Sequence, residues 1–230
     1  MTLPRVQTPI FESTLASTGE VIKFRPFLVK EEKILMLASE SEEFEDMVNA
    51  CAQIITNCSL DKVDGYQLTM FDLQDLFLKI RSKSVGETSD FTLTCGGCQK
   101  STPYTLKLSD MKVLGLDDLP NNFIKISEEM GVQLKWPNAI VAAQIDKLED
   151  DELVAKCIDY VVEGEETFST EDEPIEEVIS FVEGLPIEIM DKIREFFIKM
   201  PRIEHTVEFK CSSCEKDNAV SINGYEHFFG

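Results

Sequence analysis

Two Cys-x-x-Cys pairs, more than a hundred residues apart, constrain this chain more than any other feature. Cys95-Gly96-Gly97-Cys98 lies near the middle and Cys211-Ser212-Ser213-Cys214 near the C-terminus. Strand-like runs flank both pairs, at residues 90–94 and 102–108 around the first and 205–210 and 219–222 around the second. Strand, tight turn, strand is the knuckle arrangement in which both thiolates of a pair face one ion, and two knuckles complete a tetrahedral four-Cys zinc shell. Gly and Ser between the cysteines suit a turn whose backbone N–H groups reach back to sulfur. The expected ligands are therefore Cys95, Cys98, Cys211 and Cys214, and the expected cofactor is a structural zinc. A compact zinc ribbon separates its pairs by only ~15–20 residues, so here the metal has to tie two halves of a domain together.

Other chemistries could use the same sulfurs. An iron–sulfur cluster or two separate sites would draw on the same ligands. Two disulfides or four plain thiols are further options, although an intracellular chain rarely keeps disulfides. A thioredoxin-type redox pair needs its cysteines at a helix N-terminus, whereas apolar–polar alternation follows each pair here.

Charge narrows the function. A net charge of −21 argues against binding DNA or RNA, because affinity for phosphate is carried by Lys and Arg. It is compatible with a well-solvated surface or with a partner that presents a basic face. The 230 residues, 43% of them hydrophobic and 28% charged, suffice for one large domain or two small lobes. No apolar run approaches the ~20 residues that span a bilayer, and Met1-Thr2-Leu3-Pro4-Arg5 lacks a signal peptide's apolar core. The expectation is synthesis inside the cell without a membrane partner.

Along the chain, residues 1–20 read as a poorly structured or strand-like lead. The alternation of residues 19–27 predicts a strand that stops at Pro26. Residues 28–38 are expected to be helical, offering Ile34, Leu35, Leu37 and Ala38 to a core. Ser41 is expected to cap a second helix whose face carries Phe44, Met47, Val48, Cys51, Ile54, Ile55 and Cys58. Thr69, with Asp72 three residues on, predicts a capped third helix with the stripe Leu73, Leu76, Phe77 and Ile80. Residues 109–121 are turn-rich. A hairpin around Met130-Gly131 should follow and end at Trp136-Pro137. Asn138 should cap a helix through Ile145, and another should run from about Asp150 to Val162 with Leu153, Val154, Cys157, Ile158 and Val161 on one face. Residues 157–191 contain no Lys or Arg and read as a solvated acidic stretch; no Asp-x-Asp-x-Asp-Gly calcium loop is present. Residues 176–182 predict a short helix with Ile179 inward. Leu185-Pro186 opens the last helix, with the stripe Ile189, Ile193, Phe196, Phe197 and Met200, stopped by Pro201.

Helix, strand, knuckle, strand thus occurs twice. The pattern suggests an internal duplication, with pseudo-repeat lobes of about 21–118 and 119–230 packed so that the knuckles meet. The predicted class is α+β: helices packed around small antiparallel strand elements in a single composite domain, 21–230, with a zinc-ribbon-like site.

Catalytic signatures are scarce. His205 and His227 are the only histidines, and neither lies in a nucleophile or metalloprotease motif; His205 is a fifth candidate for the metal site. There is no glycine-rich phosphate loop, and a closed four-thiolate shell leaves no position for a substrate. Cys51, Cys58 and Cys157 read as small buried apolar residues. The terminal Tyr225, Phe228 and Phe229 either pin the tail to the core or anchor a partner.

The order of segments also resembles a known family. The run Phe24-Arg25-Pro26-Phe27-Leu28-Val29-Lys30-Glu31-Glu32-Lys33 is similar to the N-terminal signature of baseplate hub proteins of T-even-like contractile-tailed bacteriophages. Leu134-Lys135-Trp136-Pro137, Cys157-Ile158-Asp159, Phe196-Phe197-Ile198-Lys199-Met200-Pro201, His205, the Cys211/Cys214 knuckle and residues 224–229 resemble later motifs of that family in the same order. The resemblance implies a non-enzymatic hub subunit or hub assembly factor, located in the virion tail baseplate and assembled in the host cytoplasm. It implies other hub or tape-measure proteins as partners, without nucleic acid, membrane or small-molecule substrate. A zinc-ribbon regulator of the transcription machinery and a thiol–disulfide oxidoreductase are the alternatives from other classes.

Overall fold

A computed structural model describes residues 6–41, 43–61 and 63–223. The terminal aromatics Tyr225, Phe228 and Phe229, together with His227, lie outside the described residues. The fold is α+β, built from helices and small antiparallel sheets around two apolar clusters.

The first cluster starts with a hairpin. β1 (Phe11–Thr14) pairs with β2 (Val21–Phe24), setting Phe11 opposite Phe24. Alternation along β2 turns Ile22 and Phe24 inward, and Leu15 is buried just after β1. α1 (Val29–Ser41) follows. Its Ala38 is buried and Ile34 and Leu35 pack at the cluster's edge, but Leu37 is 69% exposed, contrary to the expected stripe. Leu37 lies about 100° around the helix from each of its sequence neighbours, and Ala38 takes the inward position.

α2 (Phe44–Cys58) buries Val48, Cys51, Ile54, Ile55 and Cys58 completely. Ser41 does not cap it. Glu43 holds the N-cap position without a side-chain cap bond, while the Ser41 hydroxyl donates to the Ala38 carbonyl.

α3 (Met70–Ser84) is capped as the spacing predicts. The Asp72 N–H donates to Thr69 Oγ1 at 3.4 Å, and Thr69 Oγ1 donates to Asp72 Oδ2 at 2.9 Å. The other carboxylate oxygen of Asp72 accepts the N–H groups of Ala16 (2.6 Å) and Ser17 (3.2 Å), so the helix cap also fastens the β1–β2 turn. Leu73, Leu76, Phe77 and Ile80 form the buried stripe.

β3 (Thr88–Thr94) and β4 (Ser101–Lys107) make the next hairpin. β5 (Lys112–Leu114), a strand inside the stretch that reads as turns, pairs with β10 (Arg202–Lys210).

The second cluster is built on a four-stranded meander: β6 (Phe123–Lys125), β7 (Met130–Leu134), β8 (Ile158–Glu163) and β9 (Glu166–Ser169). Between β7 and β8, Asn138 caps the single-turn α4 (Ala139–Ala142) by accepting the Val141 N–H. α5 (Asp150–Lys156) is shorter than expected. The predicted helix to Val162 ends at Lys156, and the remainder is β8, so Ile158 and Val161 do not extend a helical face. The run Ile158-Asp159-Tyr160-Val161-Val162 is β-branched and aromatic, which suits a strand paired on both sides; β7 and β9 supply those partners. Gly164, with φ 62°, makes the tight turn into β9, using backbone freedom that other residues lack.

α6 (Ile175–Glu183) and α7 (Ile187–Ile198) cover the meander. α6 buries Val178 and Val182, with Ile179 only partly covered; α7 buries Ile189, Ile193 and Phe196. Trp136 stacks on Phe196 with ring centroids 3.8 Å apart, so it is a core anchor.

The chain then returns to the first cluster. β10 pairs with β11 (Asp217–Asn223), and Ile203, Val207 and Ile222 join the apolar residues of the N-terminal half. This return brings the two Cys-x-x-Cys turns together.

Candidate metal centre

Each cysteine pair sits at the tip of a hairpin, β3–β4 for Cys95 and Cys98 and β10–β11 for Cys211 and Cys214. Neither pair opens a helix. The two turns are built alike: the Gln99 N–H donates to the Cys95 carbonyl and the Cys95 N–H to the Lys100 carbonyl, both at 3.0 Å. In the second turn the Glu215 N–H donates to the Cys211 carbonyl and the Cys211 N–H to the Lys216 carbonyl, both at 2.9 Å. Gln99 and Glu215 each adopt left-handed backbone, φ 59° and 58°, an uncommon conformation for residues with a Cβ. The repeated string Cys-x-x-Cys-x-Lys carries this equivalence in sequence, a signal that the cysteine spacing alone leaves out.

The hairpins meet tip to tip. Cys95 Sγ lies 3.6 Å from Cys214 Sγ, and Cys98 Sγ lies 3.6 Å from Cys211 Sγ. The first cysteine of each pair thus faces the second of the other, a local two-fold arrangement. All four sulfurs lie within 4.8 Å of one another, and all four residues are free cysteines. A tetrahedron of sulfurs at ~2.3 Å from a zinc has edges of about 3.8 Å, so four cysteines at these separations could bind one metal ion. His205 lies on β10, outside this group.

Smaller contacts support the meeting. The Gly96 N–H donates to Asn218 Oδ1 of the opposite hairpin at 3.0 Å. Gly97 has the Lys216 side chain so close that an added Cβ would sit 2.7 Å from Lys216 Cδ; glycine here lets the hairpins approach.

The electrostatics favour thiolate at two positions. Backbone N–H groups of Cys98 and Gly97 hold the Cys95 thiol down to about 6. Those of Ser213 and Cys214 lower Cys211 likewise. Cys214 goes the other way, up to about 11: the Lys216 N–H lowers it, but Cys98, desolvation and the other two sulfurs outweigh that pull. Clustered sulfurs resist carrying four negative charges by themselves, and a bound cation relieves that repulsion. Cys95 and Cys211 are buried while Cys98 and Cys214 are exposed.

The remaining three cysteines differ. Cys51, Cys58 and Cys157 are fully buried. Desolvation raises Cys51 well above its ordinary value and pushes Cys58 up to about 11 and Cys157 up to about 12.

A protein-family model described as T4 bacteriophage base plate protein matches residues 8–230. The chain belongs to that family. Comparison with curated proteins gave no match, nor did comparison with solved structures. As a phage baseplate protein it carries a cysteine cluster able to hold a metal, and no helix among its described residues is long and apolar enough to cross a membrane.

Proposed function

We propose that this baseplate protein is a non-enzymatic hub subunit or hub assembly factor, stapled by a structural zinc on Cys95, Cys98, Cys211 and Cys214. It binds other hub or tape-measure proteins of the same phage in the virion tail baseplate and is assembled in the host cytoplasm. The observation that carries the reading is the family match over residues 8–230. The cluster geometry adds to it, since four sulfurs around one ion leave no open coordination position for substrate or water. The metal then holds together hairpins contributed by distant parts of the chain.

The two alternatives have less support. A redox role suits a cysteine pair at a helix N-terminus, and both pairs lie in hairpin turns. A zinc-ribbon regulator of the transcription machinery is not what the family match describes, and a net charge of −21 argues against its contacting DNA or RNA directly.

The test is pairwise association of the purified chain with the other baseplate and tail proteins of its phage, joined to proteomics of washed particles. Stable complexes with hub or tape-measure proteins are expected. Presence in the particle marks a permanent subunit, and absence with retained binding marks an assembly factor. Failure to bind any of these proteins would contradict the proposal.

A further inference from the structure

Three carboxylates of the acidic stretch line a groove. Residues 157–191 contain no Lys or Arg, and within them β8, β9 and α6 enclose a groove of about 260 Å³. Its floor is apolar, formed by Met130, Val161, Val178 and Phe181, with Phe168 of β9, 42% exposed, along one wall. Its rim is acidic, with Glu163 at the end of β8, Glu173 ahead of α6, and Glu177 in the first turn of α6. Cations from elsewhere reach other acids of this stretch: Lys135 pairs with Asp159 and Glu171, and Arg194 with Asp191. Among the described residues, none forms an ion pair with Glu163, Glu173 or Glu177.

We infer that this groove docks a segment of another baseplate protein in which an apolar anchor side chain is flanked by Lys or Arg. The inference rests on the reading given under Proposed function and assigns that reading a surface. An apolar floor supplies a desolvated seat for an anchor, where binding energy concentrates. Rim carboxylates select partners by charge and speed their approach more than they add affinity. Burying a neutral or acidic segment here would strand three carboxylates beside a desolvated surface without counter-charge. The chain's own residues 224–230 offer three aromatics but no Lys or Arg, so they lack the complementary charge.

The test compares the full-length chain with two variants, Glu163→Gln/Glu173→Gln/Glu177→Gln and Phe168→Ser, each verified to melt like the wild type. All are titrated against the other baseplate and tail proteins of the same phage, and then against overlapping peptides of whichever protein binds. The expected binding peptide carries Lys or Arg on both sides of an apolar residue. Its affinity should fall on the order of tenfold in either variant, and the wild-type complex should weaken as salt is raised. Unchanged affinity in both variants, or a binding peptide without cations, overturns the groove while leaving the proposed function standing. If the wild type binds no baseplate or tail protein, the proposed function itself fails.

Discussion

Arg25 and Glu31 explain why the run from Phe24 to Lys33 hangs together. Arg25 Nη2 contacts Glu31 Oε1 at 3.1 Å and donates to the Asn57 carbonyl, while Nη1 donates to the Pro26 carbonyl. Glu31 is completely buried and also accepts the Leu28 N–H at the start of α1. One ion pair therefore ties β2, α1 and the end of α2. Desolvation pushes the Glu31 carboxyl up, but hydrogen bonds from Arg25, the Leu28 N–H and Lys30 outweigh it and hold it below the usual carboxylate range. A depressed folded-state value means that the stabilisation is present above the unfolded carboxyl pKa of ~4.3 and is lost as pH falls through the lower folded value. Glu31→Gln should thus cost about 2–3 kcal/mol near neutrality. In denaturant titrations, the gap from wild type should narrow as the pH drops below ~4; a pH-independent gap would refute the assignment. Cysteine reactivity gives a second check at this scale. Cys51, Cys58 and Cys157, buried with raised thiol values, should resist alkylation in the native protein and react only after denaturation, as peptide mapping would show. The clustering of Cys95, Cys98, Cys211 and Cys214 is legible as two pairs because a Cys-x-x-Cys turn is a local pattern. The Arg25–Glu31 pair is not, since spacing cannot tell which of many acids a given arginine meets.

At the scale of elements, periodicity worked where one face alone is buried. The stripes of α2 and α3 read correctly because each helix lays a single apolar face on a core; that of α7 holds for Ile189, Ile193 and Phe196, while Phe197 is only partly covered and Met200 lies past the helix end. It failed at residues 158–162, where a short apolar run fits a helix or a strand equally well and only pairing with β7 and β9 decides. It also passed over β5, whose three residues carry no periodic signal and become a strand only beside β10. The capping of α3 was legible from Thr69 and Asp72, but the use of Asp72 to fasten Ala16 and Ser17 depends on tertiary contact. The second cluster has a built-in reporter, the single tryptophan stacked on Phe196. Phe196→Ala removes a ring that is 2% exposed and should destabilise the fold by ~3–5 kcal/mol, with tryptophan emission shifted to the red. Unchanged emission would contradict the stack.

At the scale of the molecule, the chain folds one cluster, builds a second, and returns to the first. The two passages of helix, strand, knuckle and strand share their order, yet their helices dock in different clusters, α3 in the first and α7 in the second. Cluster membership depends on which apolar faces meet across the whole chain, which no local pattern specifies. A metal at the hairpin tips would close a loop of more than a hundred residues, and cross-links over long loops restrict the unfolded chain the most. Binding at such a site is coupled to folding. Cys98→Ser or Cys214→Ser should therefore lose the metal and lower the melting temperature by roughly 10 °C, and chelation of the wild type should act in the same direction. The most direct measurement is elemental analysis of the purified protein combined with X-ray absorption at the metal edge. About one zinc per chain, with four sulfur neighbours at ~2.3 Å, is the predicted result; a folded, metal-free protein whose four thiols are free or paired as disulfides would contradict it.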